Sequence, residues 1–170
     1  MTSFKGWFKA RMLDLARVVA HTGLSPNAIT LLTFTLNCAV AVLIATGQLL
    51  VGGIMVLVVG ALDSLDGALA RITNRATTFG AFLDSTLDRY SEAVLFVGLI
   101  YYFRSDPLVV LAAYVALVGS LMVSYARARA EGLGLNCEVG WLPRPERVVI
   151  LGLGLATGLT LYALLLLAVF

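Results

Sequence analysis

Apolar residues run through this chain in stretches of about twenty, separated by short polar segments, and that length matches a bilayer crossing. Set against the ~20 residues a span needs, the runs predict five membrane helices, at about Ala28–Thr46, Leu49–Arg71, Asp84–Phe103, Pro107–Ala130 and Val148–Phe170. No interrupted span is evident. Ahead of them, Phe4 to His21 mixes Phe4, Trp7, Phe8, Leu15, Val18 and Val19 with Lys5, Lys9, Arg11 and Arg17. That mixture predicts an amphipathic helix lying in the membrane interface, or a flanking segment that only supplies orientation charge. No long apolar stretch precedes residue 28, which argues against a signal peptide. The expected fold is all-α, a polytopic transmembrane helical bundle with an N-terminal interfacial helix over 1–22.

The second and third spans are hybrids. Their uncharged stretches, Leu49–Leu62 and Ala93–Phe103, hold 14 and 11 residues, roughly 21 and 16 Å at 1.5 Å per residue. Neither covers a hydrocarbon core of about 30 Å. Turns bearing aspartate must complete both crossings, in a polar, protein-lined cavity below the membrane surface.

Composition agrees with the pattern: 60% of residues are hydrophobic and only 13% charged, which excludes an ordinary soluble domain. The net charge of +2 matters less than its distribution. With the N-terminus in the cytoplasm, Lys5, Lys9, Arg11, Arg17, Arg71, Arg75, Arg89, Arg127, Arg129, Arg144 and Arg147 fall inside and Arg104 outside. That asymmetry predicts a multi-pass inner-membrane protein with the polar cavity open to the cytoplasm. Cys38 lies within a span and Cys137 in a cytoplasmic loop, so a disulfide is not expected. Neither cysteine has histidine-rich surroundings, which argues against a zinc site. His21 stands alone at the membrane edge. No repeat or low-complexity segment divides 1–170, which reads as one domain, and no nucleic-acid partner is expected.

Asp63, Asp66, Asp84 and Asp88 are the candidate chemistry. Each is costly to bury alone in hydrocarbon. Asp63, Asp66, Gly67, Ala70 and Arg71 share one helix face, while Gly80, Asp84 and Asp88 recur at i+4. Two such faces turned together would collect four carboxylates, an arrangement suited to hard divalent cations such as Mg²⁺ or Mn²⁺. Two ions there could neutralise a diphosphate and stabilise a leaving phosphate. Gly67 and Gly80 would let a bulky ligand approach the backbone, with Ala70 small for the same reason, and Arg71 could fork onto phosphate. Two other readings compete. Acids and arginines could pair only with each other to hold helices together, or the acids could belong to a cation transporter.

The stretch Asp63-Ser-Leu-Asp66-Gly67-Ala-Leu-Ala70-Arg71 followed by Gly80-Ala-Phe-Leu-Asp84-Ser-Thr-Leu-Asp88 resembles the signature of the CDP-alcohol phosphatidyltransferases at every motif position. Pro26-Asn27-Ala28-Ile29-Thr30 is similar to the start of the first span in that family. The resemblance implies a membrane enzyme of phospholipid synthesis. In such an enzyme an alcohol attacks a CDP-linked lipid, CMP leaves and a phosphodiester forms. By this resemblance Asp63, Asp66 and Asp84 would ligate two Mg²⁺ or Mn²⁺ ions. Asp88 would complete the second metal shell or act as the catalytic base that takes the alcohol proton. Gly67, Ala70, Arg71, Thr77 and Gly80 would line the nucleotide site.

A second polar patch reads Ser124-Tyr125-Ala126-Arg127-Ala128-Arg129-Ala130-Glu131, then Pro143-Arg144-Pro145-Glu146-Arg147. Its arginines could trap a phosphorylated acceptor, or anchor to lipid headgroups. Ser124, Tyr125, Ala128–Glu131 and Arg144–Arg147 are similar to the phosphatidylinositol phosphate synthase branch, with Arg127 in place of the usual lysine. The implied acceptor is inositol 1-phosphate, held by Ser124, Arg127, Arg144 and Arg147. Glycerol 3-phosphate, the acceptor of a phosphatidylglycerol phosphate synthase, is its nearest competitor. The family resemblance also implies a homodimer and a sixth span, which would lie after residue 170.

Overall fold

The computed structural model describes residues 4–135 and 142–169. The side chains of Phe4, Lys5, Trp7, Phe8 and Lys9, and all of Cys137 and Phe170, lie outside the described residues. Among those described there are seven helices and no strand: α1 (Phe4–Ala20), α2 (Pro26–Ala45), α3 (Leu49–Ile72), α4 (Thr78–Tyr102), α5 (Pro107–Gly132), α6 (Arg144–Thr157) and α7 (Thr160–Val169). The all-α expectation holds.

Local chemistry sets the helix boundaries. Pro26 opens α2 after Ser25, whose Oγ accepts from the Ala28 amide at 3.2 Å. Asp106 caps α5 by accepting from the Leu108 and Val109 amides, with Pro107 in the first turn. Before α4, Thr77 Oγ1 accepts from Gly80 N at 2.9 Å.

α2, α3 and α5 are long and apolar enough to cross a membrane. α4 has 25 residues but carries Asp84, Asp88, Arg89 and Glu92 within its first fifteen. It begins at Thr78, earlier than the expected span, so Asp84 and Asp88 sit in its second and third turns. α5 shows what its surroundings are. Leu108, Leu111, Val115, Val118 and Met122, spaced 3 and 4 apart, are exposed, while Val109, Ala112, Ala113, Ala116 and Ser120 are buried. The bulky apolar stripe faces outward and the small residues inward, the reverse of a soluble helix and the pattern of one packed among helices in lipid.

The expected fifth span, Val148–Phe170, is corrected by the structure. It is two helices, α6 and α7, of 14 and 10 residues, roughly 21 and 15 Å long. Gly158 adopts the left-handed region at φ 76° and ends α6, and α7 restarts at Thr160. Hydropathy carries a span straight through this glycine, but its backbone freedom makes it the break. The last apolar run is therefore interrupted, against the expectation of unbroken spans.

The chain divides into two compact units, Met1–Leu36 with Val58–Tyr90, and Asn37–Leu57 with Ser91–Phe170. In the first, Ile29 of α2 and Leu65 and Leu69 of α3 form a buried core, against which Met12, Val19 and Ala20 of α1 pack. With Ala16 fully buried, α1 therefore turns a 12-16-19-20 stripe inward and leaves Leu15 and Val18 exposed. α1 thus packs along one face against the core of its own unit. In the second unit, α7 packs against both α5 and α6.

Candidate active site

α3 carries Asp63, Asp66, Gly67, Ala70 and Arg71 on its last turns, and α4 carries Gly80, Asp84 and Asp88 on its first three. All belong to the first unit. Carboxylate oxygens of Asp63, Asp66 and Asp84 lie within 4.8 Å of one another. Asp66 is buried, and Asp63 and Asp84 half-buried. At an effective dielectric constant of about 20, two unit charges at that separation repel by roughly 3–4 kcal/mol, so three such pairs oppose folding strongly. A divalent cation among them reverses the sign of that interaction, and carboxylate oxygen is the donor type Mg²⁺ and Mn²⁺ prefer. The three side chains present fit such an ion. Asp88, one turn further along α4, stands outside this group of three.

Two threonines that the sequence reading left without a role hold the acids. Thr30 Oγ1 donates to Asp66 Oδ2 at 2.7 Å and Thr33 Oγ1 to Asp63 Oδ1 at 3.1 Å. The Gly67 amide donates to Asp66 Oδ1 at 2.5 Å. A signal was present: of the three threonines on a largely apolar helix, Thr30 and Thr33 stand at i, i+3 and match the i, i+3 spacing of the two acids.

Asp66 and Asp84 also line a cavity of about 210 Å³. Gly67, Ala70, Arg71, Thr77 and Gly80, the five residues expected to line a nucleotide site, all contribute to its wall. So do Pro26, Asn27 and Arg75. A Cβ on Gly80 would lie 3.0 Å from both Asn27 Oδ1 and Thr77 Oγ1, closer than those atoms tolerate without moving. Over Gly67 the nearest side-chain atoms are the Arg71 guanidinium nitrogens, 3.8 and 3.9 Å from the position a Cβ would take. The cavity thus combines carboxylates at one part of its wall with two guanidinium groups at another, suited to a ligand bearing both a metal-chelating diphosphate and free phosphate oxygens.

The expected acceptor residues lie in the second unit. Ser120, Ser124 and Arg127 stand on α5 at i, i+4 and i+7 and so share one face, grading from buried through half-buried to exposed. Arg144 opens α6 and is half-buried. Arg147 is only 7% exposed and its Nε lies 3.7 Å from Glu92 Oε1. Ser120 Oγ donates to the same Glu92 oxygen at 2.6 Å. Glu92 and Ser120 had no role in the sequence reading. The burial of Arg147 is incompatible with a headgroup anchor, whereas exposed Arg127 is open to either reading.

Comparison with known proteins points the same way. The family model for CDP-alcohol phosphatidyltransferase matches residues 23–170. The chain is 41% identical over 141 residues to the archaetidylinositol phosphate synthase of Methanothermobacter thermautotrophicus, across 83% of this chain and 71% of that protein. It is 40% identical over 141 residues to the phosphatidylinositol phosphate synthase of Mycobacterium tuberculosis, across 80% of this chain and 64% of that one. It therefore spans less than two thirds of the mycobacterial relative. Crystal structures of the Mycobacterium tuberculosis enzyme superpose on it with a TM-score of 0.85 at 35% identity, both over 93% of this chain. One has CDP-DAG bound and covers 86% of that chain; the other is in complex with manganese and citrate and covers 82%.

Proposed function

Because the chain belongs to the CDP-alcohol phosphatidyltransferase family, we propose that it transfers the phosphatidyl group of a CDP-linked lipid to inositol 1-phosphate. The observation that carries this reading is the convergence of Asp63, Asp66 and Asp84 beside a cavity walled by Gly67, Ala70, Arg71, Thr77 and Gly80. Glycines, an arginine and chelating carboxylates around one cavity suit a nucleotide diphosphate, and a structural acid–arginine network would leave the cavity unexplained.

In the proposed reaction the acceptor hydroxyl oxygen bonds to the lipid-bearing phosphorus of the diphosphate. The bond from that phosphorus to the bridging oxygen breaks, and CMP departs with the electron pair. Asp63, Asp66 and Asp84 would hold divalent metal, Mg²⁺ or Mn²⁺ and two ions in all, which supplies neutralisation of the diphosphate and of the leaving CMP. Asp88 would receive or orient the hydroxyl proton, or join the second metal shell. Arg71 would bind a phosphate oxygen, with Thr77 and the two glycines shaping the nucleotide site.

The acceptor assignment is supported by the names of the relatives and by the arginine-bearing second unit. Ser124, Arg127, Arg144 and Arg147 would bind its phosphate. Relatives named for archaetidyl and for phosphatidyl products are about equally similar, so the donor is defined by its CDP headgroup, with ether or diacyl chains. We place the protein across the inner membrane in several passes, as one domain and a homodimer, with the site facing the cytoplasm. The basic residues on that side support this orientation.

The test is release of CMP by the reconstituted protein, given CDP-lipid, Mg²⁺ or Mn²⁺, and inositol 1-phosphate, free inositol, glycerol 3-phosphate or serine. Release with inositol 1-phosphate alone is the expected result. Saturable release with glycerol 3-phosphate and none with inositol 1-phosphate would replace the acceptor. Cation flux through empty liposomes without CMP release would replace the whole reading with a transporter.

A further inference from the structure

Thr30 and Thr33 are buried, 4% and 2% exposed, in the first turns of α2. Both hydroxyls cross to α3, Thr30 to Asp66 at 2.7 Å and Thr33 to Asp63 at 3.1 Å. The order is antiparallel: a step of three forward on α2 meets a step of three back on α3. Neither threonine needs the acid for its own satisfaction, since each hydroxyl also lies near a carbonyl of its own helix, Pro26 O at 3.2 Å and Thr30 O at 3.0 Å. Bonding back to the helix is the ordinary resort of threonine in an apolar segment. Each hydroxyl has one proton, however, and an ionised acceptor outcompetes a neutral carbonyl at similar distance. For Thr30 the carboxylate is also the closer acceptor by 0.5 Å.

From this pairing we infer that Thr30 and Thr33 are positioning residues that fix the rotation of Asp66 and Asp63 and so preform the metal site. The inference rests on the reading of Asp63, Asp66 and Asp84 as metal ligands. A carboxylate offers about four lone-pair directions. The Thr30 hydroxyl takes one on Oδ2 of Asp66 and the Gly67 amide one on Oδ1. Both oxygens are thereby tethered from the protein side, and the carboxylate is no longer free to turn about its χ2 bond. Hydrogen-bonded partners behind ligands are worth a factor of 10–100 in metal affinity where this has been measured. Thr30, with the shorter bond and the weaker internal competitor, is expected to matter more than Thr33.

The experiment is Mn²⁺ binding to the detergent-solubilised full chain, read as loss of the free-ion signal in electron paramagnetic resonance. Valine matches threonine in shape and removes only the hydroxyl. T30V is expected to weaken Mn²⁺ binding about 10–100-fold, T33V less, and T30S to stay within about threefold of wild type. Wild-type affinity in T30V, or a loss in T30S as large as in T30V, would overturn the inference while leaving the metal site intact. If T30V does not fold, T33V decides, and unchanged affinity there overturns the inference equally. Failure of the wild-type chain to bind Mn²⁺ would overturn the metal reading and this inference together.

Discussion

Ser120 and Glu92 are joined by a 2.6 Å hydrogen bond between α5 and α4, and the Glu92 oxygen that accepts it also faces the Arg147 Nε at 3.7 Å. The side chains of Arg147 and Glu92 are 9% and 14% exposed. A pair this buried is held against a large desolvation cost, so removing one partner leaves the other's buried charge less compensated. R147M is therefore expected to destabilise the detergent-solubilised protein by roughly 3–5 kcal/mol, and E92Q/R147M together by much less. Thermal or denaturant unfolding of the two single variants and the double variant measures this coupling as a cycle. Additive losses would show that the pair does not interact.

Glu92 also places a carboxylate oxygen 3.7 Å from Arg147 Nε. If Arg147 binds acceptor phosphate, E92Q should raise KM for inositol 1-phosphate by about tenfold, the effect of loosening one charge-assisted anchor. The KM for CDP-lipid should be unchanged. Steady-state kinetics with each substrate varied in turn separates the two. Equal changes in both would assign Glu92 to the fold alone.

The three clustered carboxylates repel one another when no cation is present. D84N should therefore raise the unfolding temperature of the metal-free protein while lowering CMP release by at least about a hundredfold, several kcal/mol of lost charge stabilisation. Added Mn²⁺ should raise the unfolding temperature of wild type and leave D84N nearly unmoved. Thermal scans with chelator and with Mn²⁺ give both numbers. A metal-free D84N less stable than wild type would show that the acids stabilise each other through some other contact.

Much of this site was legible because its spacing is helical. Asp63, Asp66, Gly67, Ala70 and Arg71 could be placed on one face by counting, and the cavity indeed gathers the five expected nucleotide residues. What counting could not supply were partners from other segments. Thr30 and Thr33 are chemically ordinary in an apolar helix, and only the packing of α2 on α3 gives them carboxylate acceptors. Arg147 reads from sequence as a phosphate trap or a headgroup anchor, because a sequence shows its charge but not its burial beside Glu92. The break at Gly158 was hidden by hydropathy, which averages over a residue whose significance is its backbone angle.

Thr77 caps α4 through Gly80 N, and both residues line the cavity. T77A should lower stability by about 1 kcal/mol, the usual effect of losing such a cap, with T77S near wild type. G80A places a methyl 3.0 Å from both Thr77 Oγ1 and Asn27 Oδ1. Its expected effect is a higher KM for CDP-lipid, because the cap and the cavity wall must shift together. Unfolding scans and CDP-lipid titration check the pair, and a G80A enzyme with wild-type KM would remove Gly80 from the nucleotide site.

Gly158 separates α6 from α7 at φ 76°, with open space where a Cβ would stand. The strain of an alanine there is thus conformational rather than steric crowding, about 1 kcal/mol for an L-residue in the left-handed region. G158A should lower stability by that amount, and G158N by less, since asparagine visits this region more readily. A proline would demand φ near −65° and break the corner. Denaturant unfolding of the three variants orders them as Asn, Ala, Pro. If alanine instead stabilised the protein, the two helices would have merged into the single span that hydropathy alone predicts.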